Sequence, residues 1–189
     1  MLPRFTDIQY PCSYHGGAFA DKYYPGMRMN QGVEWAAHCA ALLAALPPDV
    51  AVPAATLAEF HGLPAPYLAK AMQQLAAAGI VTAVPGRRGG YRLARSADQI
   101  TLLDIVDAVD GDDAAFRCTE IRRQGPSAVP RRYYSPRCGI AAAMWAAEQA
   151  FRDSLATVTV ADIAAGVQRD SPPAALEKAS RWLATALTR

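Results

Sequence analysis

The chain has 189 residues, of which 52% are hydrophobic and 19% charged, and this composition indicates a folded protein rather than a disordered chain. The formal net charge of +2 excludes a strongly basic protein that coats nucleic acid without specificity, although it allows a local basic patch. The longest uncharged apolar run, residues 35–48, is fourteen residues long and too short to span a bilayer. Four cysteines are too few for a disulfide scaffold, so we expect a cytoplasmic protein with reduced thiols and no membrane partner.

Residues 1–26 differ from the rest of the chain because they are rich in Tyr, Pro and Gly and show no helical or strand period. Cys12 and His15 form a single C-x-x-H there, which is a weak metal signal without a second pair of ligands. We interpret this segment as an extension outside the main fold.

The regular pattern begins at Asn30, a residue type favoured at the start of a helix, and it predicts a helix to about Leu46. Both faces of this helix are apolar, which is typical of a helix held between other elements. We therefore expect His38 and Cys39, in its middle, to pack in the core.

Two short helices and a hairpin follow this first helix. The predicted elements are a helix at 56–61 ended by Gly62, a turn at 63–66, a helix at 67–78 ended by Gly79, and strands at 80–84 and 91–95 around the glycine-rich loop 86–90. This order predicts a mainly α fold with a small β-hairpin wing, that is, a winged helix-turn-helix.

The remainder of the chain is predicted to be helical, with one irregular stretch. Its helices are expected at 101–109 with Thr101 as the cap, at 138–157, at 159–167 and at 173–187, with a loop at 112–137. The long helix carries a narrow apolar seam formed by Ile140, Met144, Ala147, Phe151 and Leu155. This seam suits either the core or the same helix of a second copy in a dimer.

The helix at 67–78 separates into two faces when its residues are placed at 100° steps. Leu68, Met72 and Leu75 point one way, and the opposite face carries Pro66, Lys70, Gln73, Gln74 and Ala77. Lysine can donate to guanine and glutamine can pair with adenine in the major groove. No Asp or Glu occurs between Glu59 and Asp98, whereas five Lys and Arg do, so we expect a surface that faces phosphates.

The loop at 86–90 has two interpretations. A glycine-rich loop can cradle the phosphates of a nucleotide, but this one lacks the P-loop sequence and no helix follows it. The better interpretation is a hairpin tip that needs positive φ and projects Arg87 and Arg88. An arginine at such a tip can enter a narrow minor groove.

Residues 57–111 closely resemble the Rrf-two family of bacterial winged-helix transcription regulators, whose members include iron–sulfur and nitric-oxide sensors. The most specific matching segments are 66–70, 78–81, 86–95 and 100–106, and the likeness extends from Met27 to about Val167. The resemblance implies a homodimer on double-stranded DNA, in which the helix at 138–157 crosses its partner. Many members carry Glu where this chain has Ala69, so the operator sequence cannot be transferred.

The predicted domains are an extension at 1–26, a DNA-binding domain at 27–111, a sensor loop at 112–137, a dimerisation region at 138–169 and an amphipathic C-terminal helix at 170–189. The predicted DNA-binding residues are Pro66, Tyr67, Ala69, Lys70, Gln73, Gln74, Arg87, Arg88 and Arg95.

The cysteines bear on a sensing function. Cluster-binding members of the family carry three closely spaced cysteines, whereas this loop has only Cys118 and Cys138, with nineteen residues between them. We therefore predict no iron–sulfur cluster and no other metal or cofactor, although Cys12 or Cys39 could contribute a ligand.

Arginines surround the two loop cysteines, and they would favour the thiolate form and ready oxidation. We hypothesise that Cys118 and Cys138 form a redox switch. Two other interpretations stay open: the thiols are ordinary buried groups, or an anionic effector binds at Arg117, Arg122, Arg123, Arg131 or Arg132.

The sequence thus predicts a homodimeric DNA-binding regulator, a repressor, whose effector it does not identify. An enzyme is disfavoured because the three histidines lie in no catalytic spacing and no C-x-x-C is present. The alternatives are an iron–sulfur regulator of the same family and a helical interaction module that does not bind DNA.

Overall fold

The computed structural model describes residues 29–86, 89–128, 130–134 and 138–188. Within these ranges the α-helices are α1 (Gln31–Ala44), α2 (Ala54–His61), α3 (Ala65–Ala77), α4 (Leu102–Asp110), α5 (Gly139–Ala156), α6 (Val160–Asp170) and α7 (Pro173–Ala186), and the strands are β1 (Val81–Val84) and β2 (Gly90–Leu93). Short 3-10 turns lie at Ala97–Gln99, Ile121–Arg123 and Arg131–Tyr134. The predictions for 1–26, Arg87 and Arg88 fall outside the described residues.

Local capping signals account for several of the helix ends. The Asn30 side chain accepts a hydrogen bond from the Gly32 amide at 2.9 Å, as an N-cap does. Gly62 ends α2 in the left-handed conformation, at φ 66°. Thr101 and Asp104 form a reciprocal capping box at the start of α4. These three predicted boundaries are confirmed.

Several boundaries differ from the prediction by two or three residues: α1 ends at Ala44 rather than near 46, α2 begins at Ala54 rather than 56, and β2 ends at Leu93 rather than 95. Two further differences concern α3 and α6. The structure starts α3 at Ala65 and not at residue 67, because Pro66 fits the first helical turn, where the missing N–H costs nothing. The capping box of Thr159 and Asp162 begins α6 as expected, but the helix continues three residues beyond 167, to Asp170.

The core lies where α1 meets α3, α4 and α6. Its fully buried side chains include Leu57, Leu68, Met72, Leu75, Ile80, Ile100, Ile105 and Val160. Residues on both sides of α1 are buried, as its pattern predicted. Cys39 lies in this core as expected, but the prediction was wrong for His38, which is exposed with its ring 5.8 Å from that of His61.

The hairpin is short and regular. Its register pairs Val81 with Leu93 and Val84 with Gly90 in an antiparallel ladder. A feature that the sequence did not indicate extends it: Val52, just before α2, exchanges both backbone hydrogen bonds with Tyr91, at 2.9 and 2.8 Å. The wing is therefore bonded directly to the segment that leads into the helix-turn-helix.

The C-terminal helices α6 and α7 are attached to the rest of the structure by different contacts. Backbone bonds from Leu102 to Val158 and from Val160 to Ile100 join the start of α6 to the start of α4. The ring of Trp182 on α7 lies 5.5 Å from that of Phe60 on α2. Among the described residues, no helix is long and apolar enough to cross a membrane.

We predict that Gly90→Ala destabilises the fold more than Gly86→Ala. Both glycines have positive φ, 154° and 109°, which costs an alanine about 1–2 kcal/mol. A Cβ on Gly90 would also lie 2.3 Å from the Val52 carbonyl, whereas no described atom lies within 4 Å of one on Gly86. We expect Gly90→Ala to lower the free energy of unfolding by about 1–3 kcal/mol more in urea titrations. Equal losses would contradict this packing.

Candidate nucleic-acid interface

Helix α3 has one buried face and one exposed face. Leu68, Ala71, Met72 and Leu75 recur at the spacing of an apolar stripe and are buried against the core. Burying a large apolar side chain contributes about 1.5–3 kcal/mol, so rotation of α3 about its axis would cost several times that amount. The opposite face is therefore held toward the outside of the molecule.

We call the outward residues Pro66, Tyr67, Ala69, Lys70 and Gln73 the recognition face. Pro66, Tyr67, Lys70 and Gln73 are exposed, Tyr67 to 68%, and Ala69 is half-buried. No carboxylate pairs with Lys70 within the described ranges, so its charge is available to a ligand. The face is cationic and rich in hydrogen-bond donors, and Ala69 adds little bulk to it.

Gln74 has a partner within the protein that the sequence did not indicate. Its side-chain amide is half-buried and donates to the carbonyl of Val109 at 3.1 Å, which links α3 to the end of α4. Because the amide is engaged in this bond, we leave Gln74 out of the recognition face, and its contact with DNA stays a prediction. Helical spacing alone does not reveal the bond, because it depends on the position of α4.

Arg95 also has a partner within the protein. Its guanidinium pairs with Asp104 at 3.1 Å, where β2 runs back toward α4 and away from the hairpin tip. Asp104, Asp107 and Asp112 line the groove beside it, and these carboxylates would repel a phosphate backbone. The Arg95 side chain is 39% exposed, so the ion pair lies at the surface and the contact of Arg95 with DNA stays a prediction.

The hairpin tip follows the prediction where it is described. Gly86 adopts φ 109° and Gly90 φ 154°, conformations that favour glycine, and Arg87 and Arg88 lie outside the described residues. The site prediction did not include Arg92, on β2. Its guanidinium meets only the Pro48 carbonyl at 3.5 Å among the described groups, which leaves its charge unpaired. Its place in a basic span with no acids was the signal that could have found it.

The two loop cysteines both interact electrostatically with Arg122. Cys118 and Cys138 are half-buried and unbonded, and Cys138 immediately precedes α5. The hydrogen bond with Glu120 raises the pKa of Arg122, and the Coulomb interactions with Glu120, Cys138 and Cys118 act in the same direction. One guanidinium therefore lies within electrostatic range of both sulfur atoms.

Glu120 stands between Cys118 and Arg122 in a strained conformation. At φ 51° it is the sole non-glycine residue with positive φ in the described chain. Its carboxylate accepts hydrogen bonds from Nε and Nη2 of Arg122, and these bonds lower the pKa of Glu120. The strain and the ion pair together fix the loop beside the thiols.

The donor set fits an iron–sulfur cluster or another metal poorly. Within the described ranges, no three His, Cys, Asp or Glu side chains gather as metal ligands. Burial raises the pKa of Cys39 to about 12, so this thiol stays protonated in the apolar core. Cys12, the other ligand considered, lies outside the described residues.

A family model described as an iron-dependent transcriptional regulator, Rrf2, matches residues 29–166. The chain belongs to the Rrf2 family. This family consists of transcriptional regulators and not of enzymes, which confirms both the resemblance and the non-enzymatic prediction.

Two curated proteins similar to this Rrf2-family chain are named as helix-turn-helix-type transcriptional regulators. A helix-turn-helix-type transcriptional regulator of Mycobacterium tuberculosis H37Rv is 29% identical over 140 residues, covering 74% of this chain and 83% of the relative. A regulator of the same type from Aquifex aeolicus is 43% identical over 63 residues, 33% of this chain and 44% of that one. The alignments to the first relatives span 44%, 66% and 58% of their own lengths.

Solved structures confirm the fold. The global cysteine regulator CymR of Bacillus subtilis superposes with a TM-score of 0.57 at 20% identity, covering 74% of this chain and 98% of CymR. The IscR protein of T. potens gives a TM-score of 0.57 at 21% identity, covering 78% and 94%. The predicted mainly α fold with a hairpin wing is therefore confirmed.

We predict that Gln73→Ala and Gln74→Ala separate DNA reading from packing. Gln74→Ala loses the bond to Val109 and should lower the free energy of unfolding by about 1 kcal/mol while keeping the base preference. Gln73→Ala should change stability by less than about 0.5 kcal/mol but relax the preference at one base pair of each half-site. Urea titration and selection from a random duplex library measure both effects. A relaxed preference in the Gln74 variant would contradict the assignment.

Proposed function

We propose that the chain is a homodimeric repressor that binds a specific DNA duplex through α3 and the wing, with a thiol redox switch at Cys118 and Cys138. The observation that carries the proposal is the recognition face: an exposed, cationic, donor-bearing surface on the second helix of a helix-turn-helix. Membership in a family of transcriptional regulators supports it.

The recognition face suits the major groove. The groove is about 12 Å wide, which matches the diameter of a helix with its side chains. Ala69 adds little bulk, so the α3 backbone can approach the base edges closely. Lys70 can donate to guanine O6 or N7, and Gln73 can pair with adenine N6 and N7. Base discrimination is assigned to these two side chains.

The wing supplies the second contact. We propose that Arg87 and Arg88 extend from the hairpin tip toward the minor groove, where the potential is most negative in narrow A·T tracts. The bonds between Val52 and Tyr91 support this role, because they join the hairpin to the start of α2 and so keep the tip at a fixed position relative to α3.

The exposed part of α5 supports a dimer. Ile140 is 72% exposed and Met144 46%, although both belong to the apolar seam, while Leu155 at the other end packs on the core of its own chain. A large apolar residue exposed at helical spacing is typical of an interface. We propose that a second copy covers this half of α5, which places two recognition faces on one duplex.

Repression is the proposed output because it requires only that the bound dimer cover a promoter. Activation requires, in addition, a surface that contacts the transcription machinery.

The redox switch is proposed because Cys118 and Cys138 both interact electrostatically with the guanidinium of Arg122. One thiolate attacks hydrogen peroxide, breaks the O–O bond and becomes a sulfenic acid, and the hydroxide released is protonated to water. The second thiolate attacks the sulfenic sulfur, forms the S–S bond and breaks the S–O bond, and the hydroxide released is protonated to a second water. The two thiols supply the two electrons that reduce the peroxide. Because Cys138 immediately precedes α5, a disulfide would pull on the dimer helix.

We predict that Lys70→Ala weakens binding to a duplex selected from a random library by about tenfold. The negative slope of log affinity against log salt concentration should also become shallower, by about one for each lysine removed from the complex. Lys178→Ala is the matched control, since it removes an exposed lysine on α7. Fluorescence anisotropy at several salt concentrations measures both quantities. Equal losses in the two variants would contradict the proposed face.

We predict that peroxide changes the operator affinity of the wild type and forms a Cys118–Cys138 disulfide that thiol counting and peptide mass spectrometry detect. The Cys118→Ser, Cys138→Ser double variant should bind DNA equally well before and after peroxide. The same peroxide response in the double variant would overturn the switch and leave the DNA-binding proposal intact.

A further inference from the structure

Arg152, near the C-terminal end of α5, joins the long helix to the DNA-binding domain. Its Nη1 and Nη2 atoms donate to the two carboxylate oxygens of Asp107 on α4, at 2.9 and 2.8 Å. Both side chains are about 30% exposed, at 31% and 28%. A bidentate arginine–carboxylate pair fixes the relative orientation of the two side chains as well as their distance, whereas a single hydrogen bond fixes only the distance.

Further carboxylates approach the same guanidinium. The hydrogen bond with Asp107 raises the pKa of Arg152, and the charges of Asp107, Glu148 and Asp112 add to the effect. These acids come from α4, from α5 and from the loop after α4. Arg152 thus offsets the repulsion among acids from the three elements that meet there.

The start of the sensor loop is attached at the same place. The Ala115 amide donates to Glu148 at 2.9 Å, and the Trp145 indole lies 3.4 Å from the Phe116 carbonyl. Apolar packing at this junction comes from Ala141, the one fully buried residue of α5, and from Leu155, which packs on the core one turn beyond Arg152. The polar contacts centred on Arg152 add a directional constraint to this packing, on the angle between α5 and the DNA-binding domain.

We propose that Arg152, through Asp107, is a positioning residue for DNA binding: it fixes the angle between α5 and the winged helix-turn-helix, and so the separation of the two recognition faces in the dimer. This inference rests on the proposed function. Two faces on one duplex must match the half-site spacing, about 10 base pairs per turn. A variant with a loose junction should lose its preference for one spacing before it loses general attraction to DNA.

The test compares Asp107→Asn, Arg152→Gln, the double variant and the wild type, with Arg181→Gln as control. Arg181 pairs with Glu177 on exposed α7, so its loss removes the same charge away from the junction. Affinities are measured on the wild-type-selected duplex, on versions with one or two base pairs added or removed between half-sites, and on a scrambled duplex. Circular dichroism and sedimentation confirm fold and dimer, and Asp107→Asn, the milder change, serves if Arg152→Gln fails to fold.

Arg152→Gln removes a positive charge and Asp107→Asn removes a negative one. Their effects on DNA affinity therefore distinguish a role in positioning α5 from a simple effect of net charge. Positioning predicts that both weaken binding to the selected duplex by about tenfold, flatten the spacing preference, and combine without adding. Electrostatics alone predicts weaker binding for Arg152→Gln, tighter binding for Asp107→Asn and an unchanged spacing preference, and that result would overturn the inference. A wild type that selects no duplex would instead overturn the proposed function, and the inference with it.

Discussion

The buried stripe of α3 is the constraint on which the DNA-binding account depends. Leu68, Met72 and Leu75 are fully buried, and a helix cannot rotate without exposing them. Because these residues are buried, Lys70 and Gln73 face outward. Ala69, beside them, adds little bulk to this outward face. The wing follows from the same core, because β1 begins directly after the turn that ends α3. Apolar packing therefore sets the orientation of the recognition face, and the polar side chains on it supply the contacts proposed for DNA.

Most of the fold could be predicted from the sequence because its signals are local. A capping side chain, a left-handed glycine or an apolar stripe acts within one or two helical turns, and Asn30, Gly62 and Thr101 marked their helix ends correctly. The buried and exposed faces of α3 also follow from helical spacing alone. The recognition face could thus be derived, with the exception of side chains at its edge.

Most features that sequence reasoning missed depend on a partner elsewhere in the chain, whereas Arg92 was missed although its basic span was a local signal. Gln74 bonds to Val109, Arg95 to Asp104, and Arg152 to Asp107 across 45 residues, and no short pattern encodes those pairs. The bridge from Val52 to the wing is of the same kind. Long-range contacts of this type also connect the start of the loop that carries the cysteines with α5, through Ala115 and Glu148.

Protection of guanine N7 from dimethyl sulfate shows directly whether α3 enters the major groove, because N7 lies in that groove. The account predicts two protected clusters on the selected duplex, about 10 base pairs apart, when the wild-type dimer binds. Full methylation of every guanine N7 in a saturated complex, with protection confined to adenine N3 in the minor groove, would contradict it. That result would mean that α3 does not enter the major groove.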